Sequence, residues 1–123
     1  MTIYYTTQTL LSNVVYGQAA GNYDGSSQDW YSDAVPAANY YGGQGNLQTI
    51  TYRVTGFTGR IVMEATLNDI SGEASWFEID TYDRSAEIIT DYHPVNITGN
   101  FVWLRARVEL FDAGEIQFVT AAY

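Results

Sequence analysis

Between Gln48 and Leu67 the sequence QTITYRVTGFTGRIVMEATL carries two alternating runs separated by a short segment with glycine at each end. In the first run Ile50, Tyr52 and Val54 share one side of an extended chain, with Thr49, Thr51 and Arg53 on the other. In the second, Ile61, Met63, Ala65 and Leu67 lie opposite Arg60, Glu64 and Thr66. A period of two is incompatible with an amphipathic helix. Gly56-Phe57-Thr58-Gly59 tolerates the positive φ of a tight turn, so the stretch predicts a β-hairpin. An isolated hairpin is marginal in water, so its apolar side, with Phe57 at the turn, requires a second sheet to cover it.

The last third of the chain repeats this grammar. From Phe101 to Phe111 the alternation sets Val102, Leu104, Ala106, Val108 and Leu110 against Phe101, Trp103, Arg105, Arg107 and Glu109. Asp112-Ala113-Gly114 reads as a hairpin loop, and Glu115 to Thr120 returns with Ile116 and Phe118 on one side. Packed face to face, the two hairpins bury side chains worth ~1.5–3 kcal/mol each before entropy is subtracted, enough for a two-layer core. The expected fold is all-β: a two-layer antiparallel β-sandwich of jelly-roll type over residues 47–123, with an extended N-terminal arm. Between the hairpins, Asn68 to Ser75 reads as a loop and Trp76-Phe77-Glu78-Ile79 as a short strand. Asp80 to Glu87 reads as a polar connection, with a short helix over Asp83 to Ile89 as the alternative. Strands at Ile88 to Tyr92 and Val95 to Thr98 are separated by a break at His93-Pro94.

At 123 residues the chain makes one domain, so residues 1–46 belong with the rest. Met1 to Val15 is rich in β-formers, among them Tyr4 and Tyr5, and predicts an extended arm or edge strand. Tyr16 to Asn46 is rich in Gly, Asn, Ser and Asp and reads as a long loop. Its aromatic residues argue against plain disorder and for packing on the sandwich or on a neighbour. The N-terminus has neither a basic leader nor a continuous apolar stretch, so neither a signal peptide nor a membrane span is expected there.

Fourteen acidic residues stand against five basic ones, all arginine, for a net charge of −9. Phosphate contacts need a basic surface, so neither nucleic acid nor an anionic membrane is expected as a partner. There is no cysteine to supply a disulfide or a thiolate ligand, and the lone His93 argues against a zinc site. Acidic residues gather at Asp24, Asp29 and Asp33, at Asp69 and Glu73, and from Glu78 to Asp91. Neither a loop beginning at Asp80, with Ser85 where glycine is needed, nor one beginning at Asp24, with Val35 where glutamate is needed, fits an EF-hand. These clusters read as solvated loop charge, with an irregular calcium loop as the alternative. A glycosidase pair is defined by carboxylate separation in space, and no nucleophile elbow, Walker loop or Ser-His-Asp arrangement appears. No catalytic, cofactor or metal residue is assigned, no cofactor is implied, and an enzymatic role is not expected.

Arg105 and Arg107 fall on the outward side of a strand whose other side is core. Their planar forks suit pairing with a carboxylate such as Glu64 on a neighbouring strand, stacking on aromatic rings, or a contact between subunits. Trp30, Tyr31, Tyr40 and Tyr41 also suit stacking on sugars. With Tyr4 and Tyr5 of the arm, these residues are the partner-contact candidates.

A set of short segments carries a resemblance. Tyr40-Tyr41-Gly42 precedes Leu47-Gln48-Thr49-Ile50, and Tyr52 and Val54 lead into Gly56-Phe57-Thr58-Gly59-Arg60-Ile61. Glu64-Ala65-Thr66-Leu67 and Trp76-Phe77 follow. Last comes Thr98-Gly99-Asn100-Phe101-Val102-Trp103-Leu104-Arg105, with Phe111, Ala113-Gly114 and Ile116. In order and spacing the chain from Tyr40 onward resembles small virion proteins of tailed bacteriophages, particularly phages of marine bacteria and cyanobacteria. The resemblance implies a non-enzymatic structural module on a virion, assembled in the host cytoplasm: a capsid decoration or cement protein, or a tail or fibre part. It implies the major capsid protein or other virion proteins as partners and homo-oligomerisation, with a trimer as one arrangement. A tail-fibre module binding host carbohydrate is the alternative. Met1 to Asn39 lies outside the resemblance. Deleting Met1 to Val15 is expected to spare folding and weaken attachment.

Overall fold

The computed structural model describes residues 6–40, 45–67, 75–84 and 90–123. They form seven strands and, among the described residues, no helix: β1 Thr7–Val15, β2 Trp30–Tyr31, β3 Val35–Pro36, β4 Leu47–Thr66, β5 Phe77–Arg84, β6 Thr90–Thr98 and β7 Trp103–Ala122. All are joined in one antiparallel sheet.

The two segments expected as hairpins are each a single strand of 20 residues, β4 and β7. They pair with each other from Thr49 opposite Ala122 to Thr66 opposite Trp103. A hairpin at Gly56–Gly59 would set Val54 beside Ile61. Instead Thr55 lies opposite Glu115 and Thr58 opposite Ala113, so each glycine-containing segment faces the other across the ladder. The register slips on both sides of Thr58, as at a β-bulge. Gly56 and Gly114 adopt φ of 60° and 87°, and a Cβ on Gly114 would stand 2.3 Å from the Gly56 carbonyl oxygen. Glycine therefore serves a close backbone approach at a bulge rather than a chain reversal.

At this point the long strands double back. In a straight strand at about 3.3 Å per residue, Tyr52 and Ile61 would lie about 30 Å apart. Yet Tyr52 stacks on Tyr82, the residue paired with Ile61, with ring centroids 4.9 Å apart and planes within 9°. On one side of the bend β1 and β6 flank β7 and β4; on the other, β2 and β3 flank β7 while β5 flanks β4. The doubled sheet encloses Ile50, Tyr52, Val54, Ile61, Met63, Ala65, Leu104, Ala106, Val108, Phe111, Ile116 and Val119, all buried. Buried Gln48 is satisfied in full: its Oε1 accepts from the Ala38 N–H, and its Nε2 faces the carbonyls of Asn46, Ile97 and Gly99.

Bulges also shift the inward phase. Leu110, expected in the core, is 56% exposed with φ of 54°, and Phe111 takes the inward place. Phe118 is only partly buried, whereas Val119 is inward beyond the slip that pairs Val54 with Ile116 and Arg53 with Phe118. Leu67, also expected inside, is exposed just past the end of β4.

Residues 7–15 are not a free arm. They form an edge strand along β7 and bury Leu10, Leu11 and Val14, so deleting Met1 to Val15 removes core and is expected to impair folding. The following loop is anchored as well: Tyr23 and Trp30 are buried, and their rings lie 5.1 and 6.4 Å from that of Phe111. Asp80–Arg84, expected as connection or helix, lies in β5, and the rest of that helix reading falls outside the described residues. β6 runs unbroken through Pro94, and among the described residues it pairs only with β4, the edge position at which a strand tolerates proline. The loop read over Asn68 to Ser75 lies almost wholly outside the described residues.

Substituting alanine for glycine separates backbone strain from close approach. Gly17 has φ of 86° with nothing within 4 Å of the place a Cβ would take, so Gly17→Ala should cost about 1–2 kcal/mol in urea unfolding. Gly114→Ala, at nearly the same φ, should cost clearly more, because its Cβ meets the Gly56 carbonyl. Equal losses would show that the bend does not depend on this approach.

Candidate interaction surface

On the far side of the bend, β7 presents Arg105, Arg107 and Glu109 away from the core, in alternation with buried Leu104, Ala106 and Val108. Antiparallel register brings Glu64 of β4 opposite Arg105, and Arg60 opposite Glu109. Glu64 takes Arg105 Nε on one oxygen at 2.7 Å and Arg107 Nη1 on the other at 2.6 Å, and its side chain is only 5% exposed. A buried carboxylate with both oxygens in charge-assisted bonds is stable where an unpaired one is not.

The ladder continues across the sheet. Arg107 Nη2 donates to Glu78 on β5 at 2.6 Å, while its Nε lies 3.6 Å from Glu109, within Coulombic reach but too far for a hydrogen bond. Burial works against the charge of Arg107. The bond to Glu78 and the nearby charges of Glu64 and Glu109 outweigh it, so its pKa is raised. Arg60 reaches Asp83 at 3.4 Å and Glu109 at 3.8 Å. Over this network the Arg105 guanidinium is clasped between the rings of Tyr31 and Trp76, 4.4 Å from each centroid. Such stacking strengthens with desolvation and fixes the plane of the fork.

The partner-contact candidates thus separate. Tyr31, Arg105 and Arg107 come together on this outer face, and Tyr31 is 46% exposed. Trp30, the neighbour of Tyr31 in the strand, points the opposite way and is buried against Tyr23 and Phe111, which removes it from any sugar-stacking surface. Tyr40 is partly buried, edge-on to Trp103 with centroids 4.8 Å apart. Tyr4, Tyr5 and Tyr41 lie outside the described residues. Trp76 belongs to the surface although the sequence reading placed it in a strand and among the resemblance segments and not among the contact candidates. Its place shows only when β5 is laid beside β4.

A second polar cluster links the two halves of the bent sheet. Tyr52 donates to Asp80 at 2.7 Å, while Tyr82 and Arg84 both donate to Asp91 at 2.5 Å. His93 lies beside both rings, 6.2 Å from Tyr52 and 5.5 Å from Tyr82. Burial, followed by the bond to Asp91, pushes the Tyr82 hydroxyl up to about 12, and burial raises that of Tyr52 further. The bonds from Tyr82 and Arg84 hold the Asp91 carboxyl below its usual range.

The first acidic cluster is committed to local structure. Asp24 caps its own loop through the N–H groups of Ser26 and Ser27, which lowers its pKa to about 2. Asp29 accepts from the Leu110 N–H and Asp33 from Asn22. Among the described residues no three acidic or histidine side chains converge on a point that could hold a metal ion. A concavity of about 250 Å³ beside Leu47, Thr49, Ala122 and Tyr123 is below the ~300–1,000 Å³ usual for small-molecule sites.

Glu64→Gln leaves two arginines sharing a neutral amide, with an expected loss of about 2–4 kcal/mol in urea unfolding. Arg53→Gln, which removes an exposed bond to Gln117, should cost under about 1 kcal/mol. Near-equal losses would mean that Glu64 does not organise the ladder.

Stability should fall at both pH extremes. Asp91, lowered by folding, contributes stability above the ordinary carboxylate pKa, and this is lost as pH falls through its folded value. Tyr82, raised by folding, contributes stability that is complete below pH 10 and lost as pH rises from 10 toward about 12. Ultraviolet titration of tyrosinate should show a late fraction that Tyr82→Phe reduces, and one simple titration near the free value would contradict the assignment.

Compared with protein-family models, curated proteins and solved structures, the chain matches none.

Proposed function

We propose that this chain is a non-enzymatic structural protein of a tailed-bacteriophage virion, acting as a capsid decoration or cement protein. The observation that carries the reading is the Tyr31–Arg105–Trp76 stack held over Glu64 on the outer face of paired strands. Tyr, Trp and Arg are the side chains that dominate protein interfaces, and here they are fixed in place before any partner arrives. The resemblance of Tyr40 onward to small phage virion proteins supports the same reading. In it, the doubled-back sheet works as a two-layer sandwich, a stiff plate that sets its outer face against a capsid protein.

A second reading has its own support. The half-exposed Tyr31, opposite Arg107 in register and with its ring against Arg105, combines an aromatic ring with hydrogen-bonding groups, which suits a tail-fibre module binding host carbohydrate. One experiment separates the two: locating the protein in reconstructions of purified particles, together with binding to expanded capsids. Density on the head and saturable capsid binding are expected. Density on a fibre tip with glycan-array binding would move the assignment to the second reading, and absence from particles would overturn both.

A further inference from the structure

We propose that the outer face of β7, β4 and β5 is a self-complementary interface through which two copies of this chain pair about a two-fold axis. The inference rests on charge and geometry and does not depend on the virion reading.

The chain carries −9 with only five basic residues, and three of these, Arg60, Arg105 and Arg107, share this one face. Of the others, Arg84 at the end of β5 is committed to Asp91, and Arg53, on the other side of the bend, to Gln117. A basic partner would meet acidic groups over most of the molecule and has no reason to prefer this face. This face is of mixed sign, three arginines among Glu64, Glu78, Asp83 and Glu109, so a second copy of the same mixed face is repelled less here than over the rest of an acidic surface.

The pattern is also its own complement. A two-fold interface requires that residue i of one copy meets j of the other while j meets i, so the patch must carry both signs. It does: Arg60, Arg105 and Arg107 are interleaved with Glu78, Asp83 and Glu109. The Arg105 fork is oriented by two rings and by Nε on Glu64, and among the described residues its terminal amino groups make no hydrogen bond. Glu78 uses one oxygen on Arg107 and its side chain is 56% exposed, so the second oxygen is available. Arg105 of each copy facing Glu78 of the other satisfies both, and the half-exposed Tyr31 supplies apolar area beside the pair.

Sedimentation equilibrium of the full chain tests this. The wild type should be a monomer–dimer system, weakened by salt. Tyr31→Ala and Glu78→Lys, both exposed positions, should each raise the dimer dissociation constant by at least about tenfold while circular dichroism stays unchanged. Arg53→Gln should leave the constant alone. A wild type that stays monomeric at millimolar concentration, a trimer, or a dimer indifferent to both face variants would overturn the proposal.

Discussion

The close approach of Gly56 to Gly114 is the constraint on which the rest of the molecule depends. Two strands of 20 residues cannot remain straight in a domain of this size without exposing one entire apolar side. Paired bulges at a shared point let both bend together while the ladder continues on either side. Neither strand could bend alone without tearing away from the other. The aromatic residues around Phe111, including Phe57 and the loop's Tyr23 and Trp30, fill the inside of that bend.

Two polar systems follow from it. Inside, the bend brings Tyr82 of β5 against Tyr52 in the first half of β4, where the two rings stack, each with its hydroxyl on a carboxylate, so that hydrogen bonding and burial act together across the doubled sheet. Outside, the straight stretch beyond the bend gives the regular antiparallel register that Glu64 needs to reach two arginines at once. The outer system is the one suited to meeting another molecule. Its members are long, planar or aromatic, and already ordered, so little side-chain entropy remains to be lost on contact.

How much of this could be read from the chain depends on whether an element's partner is local. The alternation of Ile50, Tyr52, Val54 and of Leu104, Ala106, Val108 identifies core-facing strands from periodicity alone, and all six side chains are buried. The pairing of Arg105 with Glu64 was legible as a cross-strand match of opposite charge. The glycine segments were not legible in the same way, because a glycine in a strand pattern marks a turn or a bulge equally well. Only the opposing strand, with its own irregularity at Ala113 and Gly114, decides between them. Leu110 and Phe118 left their expected places for the same reason, since each bulge reverses the inward phase. Trp76 precedes β5 and meets Arg105 through space, a contact that no spacing in the sequence encodes.

β4 and β7 are continuous strands paired through their glycines. Cross-strand nuclear Overhauser contacts in the isotope-labelled protein test this pairing most directly. Backbone contacts joining Thr58 to Ala113 and Thr55 to Glu115, with ring contacts between Tyr52 and Tyr82, are the predicted result. Contacts that instead set Val54 beside Ile61 and Leu110 beside Ile116 would show two local hairpins and contradict the account.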